Sequence, residues 1–84
     1  MEQTYRKAYI AVNLRVGKDG SVRPKSIVWE NGKTYPIERV LTVMSCASLR
    51  VGGRGTRYTV LIGGRERCLY EEDGRWFVEA SAGS

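Results

Sequence analysis

The sequence predicts an all-β domain, a small antiparallel meander of about six short strands. Three observations predict it. Apolar and polar residues alternate with period two in several short runs. Tight-turn signals carrying glycine separate those runs. Helical spacing of apolar residues occurs in one stretch only, residues 36–49, and that stretch is ambiguous.

Residues 8–16 form the first strand. Ile10, Val12, Leu14 and Val16 fall on one side; Tyr9, Ala11, Asn13 and Arg15 fall on the other. Asp19-Gly20 then turns the chain, because both residues tolerate positive φ. Pro24 has no N–H to give a ladder and belongs at an edge or between strands. Residues 26–30 are the next strand. Asn31-Gly32 is the favoured pair for a two-residue type I′ turn. Such a turn sets Glu30 opposite Lys33, Trp29 opposite Thr34 and Val28 opposite Tyr35.

In residues 36–49, Ile37, Val40, Leu41 and Met44 have helical spacing, with Pro36 at an acceptable first position. The β-branched Val40, Thr42 and Val43 and the missing N-cap favour a strand instead. Residues 51–55 read as a glycine-rich loop and residues 56–62 as a strand. After Gly63-Gly64, a three-residue loop pairs Val60 with Cys68 and Tyr58 with Tyr70. That register keeps apolar residues on one face; a two-residue loop pairs Val60 with Arg67 and is disfavoured on this ground. Residues 71–74 form the last turn. Residues 75–79 close the fold, with Trp76 and Val78 on one side. Residues 1–79 are thus one domain and residues 80–84 a disordered tail of small residues. The simplest closure is an SH3-like open barrel or a strongly curled sheet, which hides the edges. A single sheet carrying one helix is the alternative.

At 84 residues the chain holds one domain. It is 42% hydrophobic and 27% charged, the composition of a folded protein. No apolar run approaches the roughly 20 residues of a membrane-spanning helix. The first residues, Met1-Glu2-Gln3-Thr4, lack the pattern of a secretory signal, so the expected location is the cytoplasm. In that reducing setting Cys46 and Cys68 are expected to be buried thiols. There is no histidine, and two cysteines alone do not complete a zinc site. With no triad and no metal set, the expectation is a protein that is not an enzyme and takes no cofactor or metal. The acidic turn Glu71-Glu72-Asp73 reads as solvated, since adjacent residues point different ways.

Charge is the more telling feature. The formal net charge is +5, and residues 50–67 carry five arginines against one acid, Glu66. Arg50, Arg54, Arg57, Arg65 and Arg67 are therefore the candidate contacts for nucleic acid or another anion, because the guanidinium fork suits phosphate. Trp29, Tyr35 and Trp76 are candidates for stacking on a base wherever they are exposed. Tyr58 is expected in the core. The glycines at 52, 53 and 55 lack the Gly-Lys-Ser/Thr ending of a P-loop. Arginines on strand surfaces also serve solubility, and that reading stands beside the binding one.

Two segments carry a resemblance. One is Ser26-Ile27-Val28-Trp29-Glu30-Asn31-Gly32-Lys33-Thr34-Tyr35-Pro36-Ile37-Glu38-Arg39-Val40-Leu41. The other runs from Arg57-Tyr58-Thr59-Val60 to Arg75-Trp76-Phe77-Val78. Together they resemble a family of short bacterial proteins of unknown function, often encoded beside Y-family lesion-bypass DNA polymerases. The motifs are hairpin and core residues, so the resemblance implies a fold and brings no catalytic residue. It implies an accessory role near DNA repair. The resulting expectation is a non-enzymatic binding module acting on DNA or RNA in a repair context. The alternative is a protein-interaction adaptor for a repair polymerase or another protein. In either case the chain is expected to be a monomer or weak dimer away from membranes.

Overall fold

The computed structural model describes residues 4–46 and 55–82. It is an all-β fold of seven strands in one antiparallel sheet, with no helix among the described residues. The strands are β1 (Thr4–Val16), β2 (Val22–Val28), β3 (Thr34–Pro36), β4 (Arg39–Cys46), β5 (Gly55–Ile62), β6 (Arg65–Glu72) and β7 (Arg75–Ala82). Their order across the sheet is β3-β2-β1-β7-β6-β5-β4.

The two outermost strands, β3 and β4, are consecutive in the chain and joined by Ile37 and Glu38 alone. The Ile37 N–H donates to the Lys25 carbonyl of β2 at 2.9 Å, and the Glu38 N–H donates to the Leu61 carbonyl of β5 at 2.8 Å. Neighbouring residues thus bond to strands near opposite ends of the sheet. That is possible only if the sheet curls until its two ends approach at this corner, which makes it an open half-barrel. The long strand β1 makes the opposite corner: residues 4–10 pair with β7 and residues 11–16 with β2. In the stretch 36–49, Pro36 and residues 39–46 are strand, as the β-branched residues favour, with residues 37–38 as the corner; residues 47–49 lie outside the described residues. The strand count rises from the expected six to seven because the corner at residues 37–38 divides one long element into β3 and β4.

Two hairpins differ from expectation. At Asn31-Gly32 only Gly32 has positive φ, at 82°, whereas a type I′ turn needs it at both residues. The Gly32 N–H donates to the Trp29 carbonyl and the Trp29 N–H to the Lys33 carbonyl, both at 2.9 Å. This is a three-residue loop ending in a left-handed glycine. It pairs Val28 with Thr34 and Ile27 with Tyr35, one residue away from the expected register. The β1–β2 turn repeats the construction, with Gly20 as the left-handed residue. In both loops the side-chain oxygen before the glycine accepts the N–H two residues on: Asp19 from Ser21 at 3.0 Å, Asn31 from Lys33 at 2.9 Å. That bond closes an Asx turn in each loop. At Gly63-Gly64 the outcome is reversed. Both glycines have positive φ and form the two-residue turn that the apolar pattern disfavours. The register becomes Val60 with Arg67 and Tyr58 with Leu69. Turn geometry outweighs side-chain pairing here, because the type I′ twist matches that of the flanking strands.

The inner side of the curl holds the core. Ile27, Val60, Leu69 and Trp76 are buried together, and Ile10, Val12, Tyr58 and Val78 pack against them. Tyr58 is thus a core residue, as expected. Full burial of Val60 or Leu69 stabilises by roughly 1.5–3 kcal/mol each. The alternation along β1 holds through Val12 and then fails. The ladder shifts between Asn13 and Leu14, and Leu14 and Val16 are exposed. Beyond that point β1 has β2 as its partner and, among the described residues, no strand on its other edge. At the far end β7 continues to Ala82, with Ala80, Ser81 and Ala82 opposite Arg6, Tyr5 and Thr4. Residues 80–82 are strand rather than tail; residues 83 and 84 lie outside the described residues. Gly55 is required where it stands, since a Cβ there would fall 2.5 Å from the Glu71 carbonyl oxygen.

Candidate nucleic-acid interface

Side chains of directly opposed residues share a side of the sheet. The registers therefore define one continuous row on the outer side: Met44, Arg57, Tyr70, Phe77 and Tyr9, across β4, β5, β6, β7 and β1. Phe77 lies between Tyr70 and Tyr9 in this row and is fully buried although it points away from the core. Tyr70 stacks on it at 5.5 Å and Tyr9 meets it edge-on at 5.7 Å. Aromatic rings attract cations to their faces, and two are present. The Arg75 guanidinium lies 3.8 Å from the centre of the Tyr9 ring, and Lys7 Nζ lies 5.0 Å from that of Phe77.

These cations differ in how far they are neutralised. Lys7 Nζ donates to Glu72 Oε1 at 2.7 Å, and this bond holds the ammonium above its ordinary pKa. Arg75 is exposed and sits on Tyr9, which is itself 44% exposed. Arg57 is half-buried: one Nη contacts Met44 Sδ at 3.5 Å, while its Nε is buried with no hydrogen-bond partner among the described residues. Glu79 Oε2 is in the same condition. Tyr70 separates the two. Its burial, then its hydrogen bond to Glu79 and that carboxylate's charge, push the phenol up to about 12, with Arg57 acting the other way.

The raised Tyr70 pKa makes an alkaline prediction. Between about pH 10 and 12 the folded protein keeps a proton that the unfolded chain has lost. Its contribution to stability is complete below pH 10 and is lost as pH rises through 12. Tyr70→Phe is expected to flatten the fall in melting temperature over pH 9.5–11.5 relative to the parent. Parallel curves for the two proteins would show that Tyr70 is not held protonated in the fold.

The five arginines picked out by the sequence do not form one surface. Arg50 and Arg54 lie outside the described residues. Arg57 lies opposite Tyr70 on the outer side, whereas Arg65 and Arg67 lie opposite Ile62 and Val60, on the other side of the same hairpin. Strand alternation separates residues that are close in sequence. Of the stacking candidates, Trp76 is buried against Tyr58 at 4.8 Å and presents no face to a base. Trp29 and Tyr35 are half-buried against the core. Cys68 is exposed, contrary to the expectation of a buried thiol, because the two-residue turn sets it opposite Thr59 on the outer side. The side chain of Cys46 lies outside the described residues. Among the described residues no three metal-ligating side chains come together.

Sequence reasoning missed Tyr9, Lys7 and Arg75. Alternation already put Tyr9 on the side opposite Ile10, so part of the site was readable, whereas Lys7 precedes the strand expected over residues 8–16. Arg75 joins them only through the β1–β7 pairing, which no local pattern reveals. Comparison of the chain with protein-family models, curated proteins and solved structures finds no match.

Proposed function

We propose that this protein is a non-enzymatic nucleic-acid-binding module whose contact surface runs along the outer side of β1. One observation carries the reading: an exposed tyrosine bearing an arginine on its ring, Tyr9 beneath Arg75, on the same side of the strand as Lys7. A π-face beside fixed cations is the arrangement that stacks a base while its phosphate is held. The net charge of +5 favours the encounter with a polyanion. The DNA-repair setting implied by the family resemblance belongs to this proposal and adds damaged or single-stranded DNA to the substrates worth testing.

The test is a backbone NMR titration with short single- and double-stranded DNA, at 50 and then 200 mM salt. Expected are shifts at Lys7, Tyr9 and Arg75 that fade as salt rises, because phosphate binding releases counterions. Tyr9→Ala should weaken binding roughly 5- to 150-fold, equivalent to about 1–3 kcal/mol of stacking. Arg75→Ser should lower the salt slope by about 1. No shift at low salt, or binding indifferent to salt, would refute the proposal.

A further inference from the structure

We propose that the β1–β2 hairpin is an arm that enters a groove of double-stranded nucleic acid. The inference rests on the binding function proposed above and adds the part that reads a duplex.

From Leu14 onward the hairpin is a ribbon of two strands with no third strand beside β1 among the described residues. Its two sides differ in chemistry. On one side, Arg15 lies directly opposite Arg23, and both are exposed. Like charges in opposed positions destabilise a sheet, and an anion between them removes that cost. Lys18 in the turn and Lys25 in β2 add to the field, and Asp19 is the one acid between Leu14 and Lys25. Its carboxylate accepts both the N–H and the hydroxyl of Ser21, at 3.0 and 2.7 Å, and braces the turn rather than the arginines. These bonds hold Asp19 below the ordinary carboxylate range.

The opposite side is apolar. Leu14, Val16 and Val22 are 44%, 66% and 42% exposed, and Val16 lies directly opposite Val22. A free phosphate would use the arginines and leave these residues in water. A duplex groove offers both chemistries at once, phosphates along its walls and sugar and base edges, thymine methyls included, within. Its major groove, about 12 Å wide, admits a two-stranded β-ribbon. The Asx-braced turn presents the ribbon preformed, so little ordering cost is left for binding.

The experiment measures binding of the full chain by fluorescence anisotropy to a labelled duplex, to the corresponding single strand, and to vesicles of phosphatidylcholine with phosphatidylserine. Two variants are compared with the parent, R15S/R23S and L14T/V16T/V22T. All five positions are exposed, and circular dichroism checks that both variants fold. R15S/R23S is expected to lose about tenfold or more in duplex affinity and about 2 units of salt slope. L14T/V16T/V22T is expected to lose roughly fivefold with its slope unchanged. Duplex binding undiminished in both variants, with single-strand binding still dependent on Tyr9, overturns the arm and leaves the binding function standing. No binding to either nucleic acid at low salt overturns both. Binding to vesicles without binding to duplex assigns the ribbon to an anionic membrane surface and overturns the arm.

Discussion

Phe77→Ala is expected to destabilise the protein by about 3–5 kcal/mol, measured as a fall in urea midpoint at unchanged slope. A domain of this size has only about 4–12 kcal/mol to lose, so the variant will be substantially unfolded on warming. The reason is unusual for a residue on the outer side of a sheet. Phe77 has no exposed surface, with Tyr70 stacked on it, Tyr9 at its edge and Lys7 above its ring. Truncation removes the common partner of two other rings and leaves the Lys7–Glu72 pair over a hole. Phe77→Leu should recover most of the loss. A cost for Phe77→Ala below about 1 kcal/mol, typical of a surface position, would mean that the outer aromatic cluster does not form in solution.

Trp76→Ala is expected to cost a similar amount, about 3–5 kcal/mol, for a different reason. Trp76 points inward, where it is buried with Ile27, Val60 and Leu69 and packs on Tyr58 at 4.8 Å. Its indole should emit at shorter wavelength than that of the half-buried Trp29. Trp76→Phe leaves only Trp29 to report, so the emission maximum should move to the red while the fold is kept. A wild-type spectrum with both indoles equally quenched by iodide would contradict the burial of Trp76. Together the two variants test whether β7 is buried on both sides, inward at Trp76 and outward at Phe77.

The all-β architecture was legible because alternation and turn pairs are local signals. Ile10, Val12, Tyr58, Val60 and Trp76 sit on the core side that their spacing assigns. Registers were less legible, since they depend on backbone angles the pattern does not record. Asn31 stays out of the left-handed region and Gly32 alone enters it in that loop, while Gly63 and Gly64 enter it together. The one-residue difference at each hairpin then sets Trp29, Arg67 and Cys68 against partners other than those expected. The candidate site was the least legible part. Charge density along the chain pointed to residues 50–67, but the described part of that segment is divided between two sides of the sheet. The aromatic and basic surface is assembled instead from β1 and β7, whose proximity depends on closure of the whole fold.

That β1–β7 pairing also governs how the fold is reached. Every other pair in the sheet joins strands that follow one another in the chain, so β1-β2-β3 and β4-β5-β6-β7 can each zip from their own turns. The central seam alone is non-local, joining Ile10 to Trp76 and Thr4 to Ala82. Closing a loop of about 70 residues costs roughly 2 kcal/mol more than closing one of about 8. The folding barrier therefore falls on the docking of two preformed meanders. During synthesis neither β1 nor the aromatic surface it shares with β7 can be completed until β7 has left the ribosome. The nascent chain carries an open β1 edge for all of that time, and the charge of Arg6, Lys7 and Arg15 along it protects it against pairing with a neighbour.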